Sequence, residues 1–376
     1  MKNLNFKYLI PVILVFVSCQ KEPLDSMPVS EATKENSTTL KMGFTSNKKT
    51  LKTKKLDPKG SLSPRYNHRC LAFENKIWIL GGNLLEAGDY DNYTSDDVLF
   101  STDGAHWKSV SEQANFPNRS LFGATVFQDK MWITGGIVKK EPSNTTDLKN
   151  DVWSSEDGIE WKLVTPKAPF PQRFEHTLTA FNGSLWLIGG VGFNEKTNMY
   201  DTLADIWRSS DGVNWIKVTD KASFGPRRWH ASVVHDGKLW VVGGGDTSAL
   251  KDVWYTENGS QWIQATDNYP FSARVFHTVE SDGKLMWLIA GYIGLNGHQN
   301  DIWYSSDGVT WYQAETSQTF PKRAQHASVF VNGKLWVING TAPSNINGPY
   351  NVHSDVWSFE DPAYTQGKTQ DLSYEN

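Results

Sequence analysis

The chain has 376 residues, a formal net charge of -4 and 17 tryptophans. The near-neutral balance, with no Lys/Arg stripe interleaved with aromatics, excludes nucleic acid as the expected partner. Plentiful glycine and tryptophan, without any long amphipathic helical period, exclude a helical bundle and place the chain in the all-β class.

Taken in chain order, the first element is a leader. Lys2 and Lys7 precede an apolar run from Leu9 to Val17, followed by Ser18 and Cys19. A basic segment, a short apolar core and a small residue make a secretory signal, too short to span a bilayer. Cys19 after Val17 and Ser18 resembles the bacterial lipobox, although Phe16 stands where that family usually has Leu. The resemblance implies that residues 1–18 are removed and that Cys19 is lipidated. The protein is then expected to be lipid-anchored at the bacterial cell envelope, in the outer membrane. Gln20-Lys21-Glu22 resembles the short acidic-basic tag of surface-exported lipoproteins. Cys70 is the other cysteine of the chain, so no intrachain disulfide is expected. Residues 19–50 are rich in Ser, Thr, Lys and Glu and read as a flexible tether.

From Arg65 the chain repeats itself. Six copies begin at Arg65, Arg119, Arg173, Arg227, Arg274 and Arg323, spaced 54, 54, 54, 47 and 49 residues apart. In the fourth copy, His230 to Val234 reads as a buried inner strand and His235-Asp236-Gly237 as a turn. Lys238 to Val242 returns as a second strand ending at Gly243-Gly244, Asp252 to Tyr255 makes a third, and Trp262 to Ala265 a fourth. Four antiparallel strands in each of six repeats predict a six-bladed β-propeller over residues 51–361, with a tail at 362–376. The last copy has Asp355-Val356-Trp357 but no fourth strand. In complete copies the fourth-strand Trp precedes the next Arg by twelve; counting back twelve from Arg65 gives Thr53. Leu51 to Leu56 is therefore predicted to be the outer strand of blade six, closing the ring.

An apolar strand ending in Gly-Gly, then spaced aromatics, resembles the kelch family. The glycine pairs stand at Gly81-Gly82, Gly135-Gly136, Gly189-Gly190 and Gly243-Gly244, degrading to Ala290-Gly291 and Asn339-Gly340. Ser209-Ser210-Asp211-Gly212-Val213-Asn214-Trp215 is similar to a sialidase Asp-box, one residue short between Asp and Trp, and reads as a hairpin-turn device.

Repetition separates scaffold from site. Every tryptophan except Trp229 falls in a repeated slot, where large aromatics fill the space between blades. His68, His176, His230, His277 and His326 share one slot, with Phe122 replacing it in copy two, and are expected to tie adjacent blades. Equivalent positions on different blades lie too far apart for a tetrahedral metal site, so no metal is expected. Galactose oxidase also carries kelch-like blades, but its copper site needs a Cys-linked Tyr, and Cys70 sits in an inner strand. No cofactor is expected.

Two positions between Arg and His do not repeat: Tyr66-Asn67, Ser120-Leu121, Phe174-Glu175, Arg228-Trp229, Val275-Phe276 and Ala324-Gln325. They are predicted to ring the channel mouth, with the variable loops after Gly-Gly on the same face. Ligand-binding candidates are Trp229, Arg228, Phe276, Asn67, Tyr66, Phe174 and Gln325. An aromatic plate, a guanidinium and the Glu175 carboxyl suit an acidic sugar, Glu175 and Arg228 being the catalytic pair if the protein is an enzyme. The alternative for Trp229 is plain packing under the Asn83 or Val191 loop. Tyr90, Tyr200, His298 and Tyr350 are further loop candidates.

Three functional classes follow. The first is an envelope lipoprotein that binds acidic carbohydrate in support of polysaccharide utilisation, beside neighbouring envelope proteins. The second is an enzyme at the mouth: a sugar-acid mutarotase or epimerase, by similarity in size and blade number to bacterial sialic-acid mutarotases, or a polysaccharide lyase. The third is a protein-interaction module.

Overall fold

The computed structural model describes residues 48–364, apart from residues 59, 85–92, 111–114, 116–117, 141–144, 195, 267, 295–296 and 344–350. The chain divides into two units after Lys48. The leader, Cys19, most of the tether, Tyr90, Tyr350 and the end of the tail lie outside the described residues.

Short runs rich in β-branched and aromatic residues, joined by tight Asn-Gly and Asp-Gly turns, pair most readily with their sequence neighbours. Blade three shows the outcome: Thr177–Phe181, Ser184–Ile188, Ile206–Ser209 and Ile216–Thr219 form an antiparallel sheet in that order. The same arrangement recurs in five more sheets. The inner strands are Arg69–Phe73, Gly123–Phe127, Thr177–Phe181, Ala231–His235, Thr278–Ser281 and Ala327–Val331. Each packs against the next and the last against the first, so the sheets close into a ring around a central channel.

The sixth sheet is completed from the other end of the chain. Thr50–Leu56 pairs antiparallel with Val356–Glu360, with Thr53 opposite Phe359 and Leu56 opposite Val356. The register is the expected one, because Trp161 in blade two faces Ser155, two residues beyond Trp153, as Phe359 lies two beyond Trp357. The strand is also clasped on its far side by Glu315–Thr316, which runs parallel to Thr50 and Leu51.

Packing between blades explains two glycine slots. A Cβ on turn residue Gly259 would lie 1.9 Å from the Trp186 ring of the preceding blade, so only glycine lets the indole close over the turn. At the Gly-Gly corner, Ala290 and Asn339 fill the first position at φ of 50° and 53°. The second position stays glycine in all six blades, since a Cβ on Gly82 would sit 2.7 Å from the His68 Cβ.

Two expected loops are shorter than the sequence suggested. In blade two the second and third strands run on as Lys130–Lys140 and Thr145–Ser155, taking up most of the loop expected after Gly135-Gly136. In blade five Met286–Tyr292 and His298–Ser305 shorten the 292–300 loop in the same way. Both segments carry residues able to continue the ladder past a bulge at the glycine corner.

Candidate functional site

The mouth of the channel is built on buried arginines. In five blades the repeated Arg forks onto the Asp two residues before the third-strand Trp, as Arg173 does onto Asp205 with two bonds of 2.7 Å. It also donates to the carbonyl of the first residue of the glycine pair, here Gly189 at 2.9 Å. The Asp accepts the indole N–H of the Trp two residues on, at 2.7 Å from Trp207 to Asp205. Arg65 makes the same ion pair with Asp97, without the indole, because Leu99 occupies that slot. These six guanidiniums belong to the scaffold.

The histidines tie blade to blade, as their repetition implied. His176 Nε2 meets Thr134 Oγ1 at 2.9 Å, His230 meets Thr177 at 3.1 Å and His326 meets Thr278 at 3.0 Å, while His277 donates to the Val242 carbonyl. Among the described residues, neither ring nitrogen of His68 has a hydrogen-bond partner. The neighbouring residue that would supply the hydroxyl is Ala327, where its equivalents are Thr177 and Thr278. Burial holds all five imidazoles below their ordinary range and therefore neutral, with His277 down to about 3. Among the described residues, no group of three or more His, Cys, Asp or Glu side chains is placed to hold a metal ion.

The two unrepeated positions in each blade have repeated backbone roles. The first pairs with the residue just after the glycine pair: Tyr66 with Asn83, Ser120 with Ile137, Phe174 with Val191, Arg228 with Gly245, Val275 with Tyr292 and Ala324 with Thr341. These pairings put the strand entrance and the post-glycine loops on one face. The second position is left-handed everywhere, with φ between 54° and 60° at Asn67, Leu121, Glu175, Trp229, Phe276 and Gln325. That conformation is costly for bulky side chains, of order 1 kcal/mol or more each. The strain is held by a ring of backbone bonds around the mouth. Asn67 N–H donates to Gln325, Leu121 to Asn67, Glu175 to Leu121, Phe276 to Trp229 and Gln325 to Phe276. Among the described residues the one missing link is between Trp229 and Glu175.

Side chains at that gap converge. The Arg228 guanidinium stacks 3.9 Å from the centre of the Trp229 ring, and the Phe276 ring lies 4.6 Å away from it. Contacts this close leave little indole face open; the partners are ring neighbours rather than the Asn83 or Val191 loop. Arg228 reaches to 3.9 Å from the Glu175 carboxylate, whose side chain is 8% exposed against 27% for the arginine. Burial pushes the Glu175 carboxyl up to about 7 against the pull of Arg228. Trp229 also pulls it down, although the indole N–H makes no hydrogen bond of normal geometry.

Next to Glu175, Phe174 packs edge-on against Tyr200 at 6.1 Å, and Tyr200 against Phe193 at 5.4 Å. Phe193 and Tyr200 sit on a hairpin of Val191–Asn194 and Met199–Thr202, where Phe193, Met199 and Tyr200 are 37%, 64% and 39% exposed. Asn67 is buried and donates to Asn83 Oδ1, so it supports a loop. Tyr66 and Gln325 are half-buried at the mouth. His298 bonds Thr341 Oγ1 at 3.1 Å and is held down to about 4 by burial, well away from the Arg228 cluster in sequence and on blade five.

Inside the ring the inner strands enclose a cavity of about 160 Å³ lined by Arg69, Cys70, Ser232, Glu280 and Ser328 among others. None of these was picked out from the sequence as a site residue; Cys70 was read only as an inner-strand cysteine. The signal was there: the slot after His holds Arg69 in blade one but Gly123, Thr177, Ala231, Thr278 and Ala327 in the others.

The chain matches the family model described as the KLHDC2/KLHL20/DRC7 Kelch-repeats domain over residues 31–244 and 176–366. It is 31% identical over 153 residues to Kelch-like protein 40 of Xenopus laevis, covering 39% of this chain and 22% of that protein. It is 32% identical over 131 residues to Adagio-like protein 1 of Oryza sativa subsp. japonica, covering 34% of this chain and 20% of that protein. The leucine-zipper-like transcriptional regulator 1 homolog of Drosophila melanogaster is 24% identical over 199 residues, covering 50% of this chain and 20% of that protein. The matched segments thus span about a fifth of these relatives. With the glycine-pair corners, the Arg-Asp forks and the ring of sheets, the chain belongs to the kelch-repeat family.

Proposed function

We propose that the propeller is a protein-interaction module whose mouth grips an acidic, partly apolar segment of a partner protein. The observation that carries this reading is the unbroken run Arg228, Glu175, Phe174, Tyr200, Phe193, which places one part-exposed guanidinium beside an exposed apolar hairpin. A carboxylate on the partner would answer the Arg228 fork, and an adjacent apolar side chain would cover Phe193, Met199 and Tyr200. The packing of Trp229 by Arg228 and Phe276 argues against that indole as an open plate for a sugar ring. In the same reading the module is carried on a lipid anchor at Cys19, at the outer membrane.

Isothermal titration of the full chain against a library of acidic-apolar peptides, and against uronic and sialic oligosaccharides, tests the reading. Peptide binding that is lost in both Arg228→Gln and Met199→Asp is expected. Oligosaccharide binding with no peptide binding would return the acidic-carbohydrate reading to first place.

A second reading rests on one observation, the Glu175 carboxyl near 7 beside a cation at 3.9 Å. A group poised at neutrality next to an anion clamp suits acid-base catalysis on a sugar acid, such as anomer exchange. Proton NMR of freshly dissolved sialic acid reads this directly: acceleration abolished by Glu175→Gln would establish it.

A further inference from the structure

Among the described residues, one charge in the channel interior has no direct ion-pair partner. Arg69 occupies the slot that the other blades fill with Gly, Thr or Ala, so five small side chains leave room for one long one. Its Nε donates to the Phe122 carbonyl at 2.7 Å, which fixes the base of the guanidinium. Among the described residues its two terminal amino groups have no hydrogen-bond partner and no carboxylate within ion-pair distance. Burial brings its pKa down to about 10, leaving it charged at neutral pH.

No carboxylate among the described residues lies against it: Glu175, beside Arg228 at the mouth, raises the Arg69 pKa only through space. Buried imidazoles are neutral, and burial raises the Cys70 thiol far above its usual range. The Glu280 carboxyl accepts from the Ser328 hydroxyl at 2.7 Å and is pushed up to about 7 by burial. Arg69 is half-buried in the channel wall, where a guanidinium with no adjacent anion is disfavoured. The cavity is far larger than one water needs.

We infer that the central cavity is a binding site for a compact oxyanion, held by the forked terminal amino groups of Arg69 inside the mouth ring. Two parallel N–H donors match two oxygens of a carboxylate, sulfate or phosphate, and a spherical ion cannot use both as well. Ser232 lines the same cavity; its hydroxyl bonds Thr179 Oγ1 at 2.6 Å and can donate to the anion when it accepts from Thr179. This site is distinct from the peptide mouth, though Glu175 feels both guanidiniums: Arg228 lies before His230 in its blade and outside the cavity lining, whereas Arg69 follows His68 and lies within it.

The experiment is isothermal titration of the full chain with acetate, sulfate and inorganic phosphate, at constant ionic strength set by chloride. One site per chain is expected for at least one of the three, which also sorts a carboxylate ligand from a sulfate or phosphate. Arg69→Gln is expected to weaken it about tenfold or more. Arg69→Lys keeps the charge but not the fork and falls between, giving a readout should the glutamine variant fail to fold. Arg228→Gln is expected to change the affinity less than Arg69→Gln does, through Glu175 alone. Absence of binding by all three anions overturns the inference, as does binding kept in Arg69→Gln and lost in Arg228→Gln, which would put the anion at the mouth.

Discussion

Phe359 packs edge-on against Phe320 with ring centroids 5.1 Å apart, the contact that Trp215 makes with Phe170, also at 5.1 Å, in blade three. Trp262 and Phe224 repeat it at 4.9 Å, and Trp311 and Phe271 at 5.4 Å. In those blades the indole comes from the fourth strand. Blade six has Thr53 there, and the aromatic has crossed to Phe359 on the facing residue of the third strand. The slot is filled although Thr53 puts no aromatic on the fourth strand.

Phe359→Ala should therefore cost as much as a fourth-strand Trp→Ala, about 3–5 kcal/mol. Adding Thr53→Trp to a Phe359→Ser chain should recover part of the loss, because the ring returns to its usual side. Guanidinium unfolding of the two chains decides the point; no recovery would mean that the blade-six geometry differs from its neighbours.

Closure by Thr50–Leu56 makes a second prediction. Leu51 and Leu56 are buried in two different inter-blade cores. Removing residues 20–58 should lower the melting temperature by several degrees, and Leu51→Asp with Leu56→Asp should do the same in the intact chain. An unchanged melt in both would show that the strand contributes nothing to the ring.

Glycine positions give a graded test. Gly237 and Gly259 both have positive φ, 65° and 80°. A Cβ at Gly237 meets nothing within 4 Å, whereas at Gly259 it enters the Trp186 ring. Gly237→Ala should cost only the left-handed penalty, about 1–2 kcal/mol. Gly259→Ala adds overpacking of a further ~1–3 kcal/mol. Equal losses in denaturant titrations would remove the indole from the explanation.

Glu280 makes a pH-dependent prediction. Its folded pKa of about 7 lies above the ordinary 4.5, so the native state holds a proton that the unfolded chain has released. The stability from this group is full below pH 4.5 and is lost as pH rises through 7. Glu280→Gln removes that loss. The melting difference, variant minus parent, should be smallest near pH 4, grow to a positive value by pH 7 and stay level above it. The buried histidines act in the opposite sense, weakening both chains as pH falls below 6.5. They cancel in the difference. A difference that does not vary with pH would show that the carboxyl titrates normally.

The fold was legible because each blade repeats the devices that make it: turn glycines under indoles, Arg-Asp forks, and a spacing of twelve that located Thr53. Glu175, Arg228 and Trp229 were found together because they break the repetition in a known slot, and the geometry does bring them into contact. What could not be read was which way the aromatic surface turns. Trp229 lies between Arg228 and Phe276, partners fixed by a left-handed backbone that no residue pattern announces. Arg69 was passed over for a different reason. It breaks the repeat one position after His, a slot occupied elsewhere by residues too small to attract notice.

The seam in blade six also orders events in time. During synthesis Thr50–Leu56 emerges before any other strand of the propeller, while its partner Val356–Glu360 emerges last. A strand with two leucines to bury must therefore wait, unpaired, for some three hundred residues of chain to be made, and its three lysines keep that waiting edge soluble and averse to wrong partners.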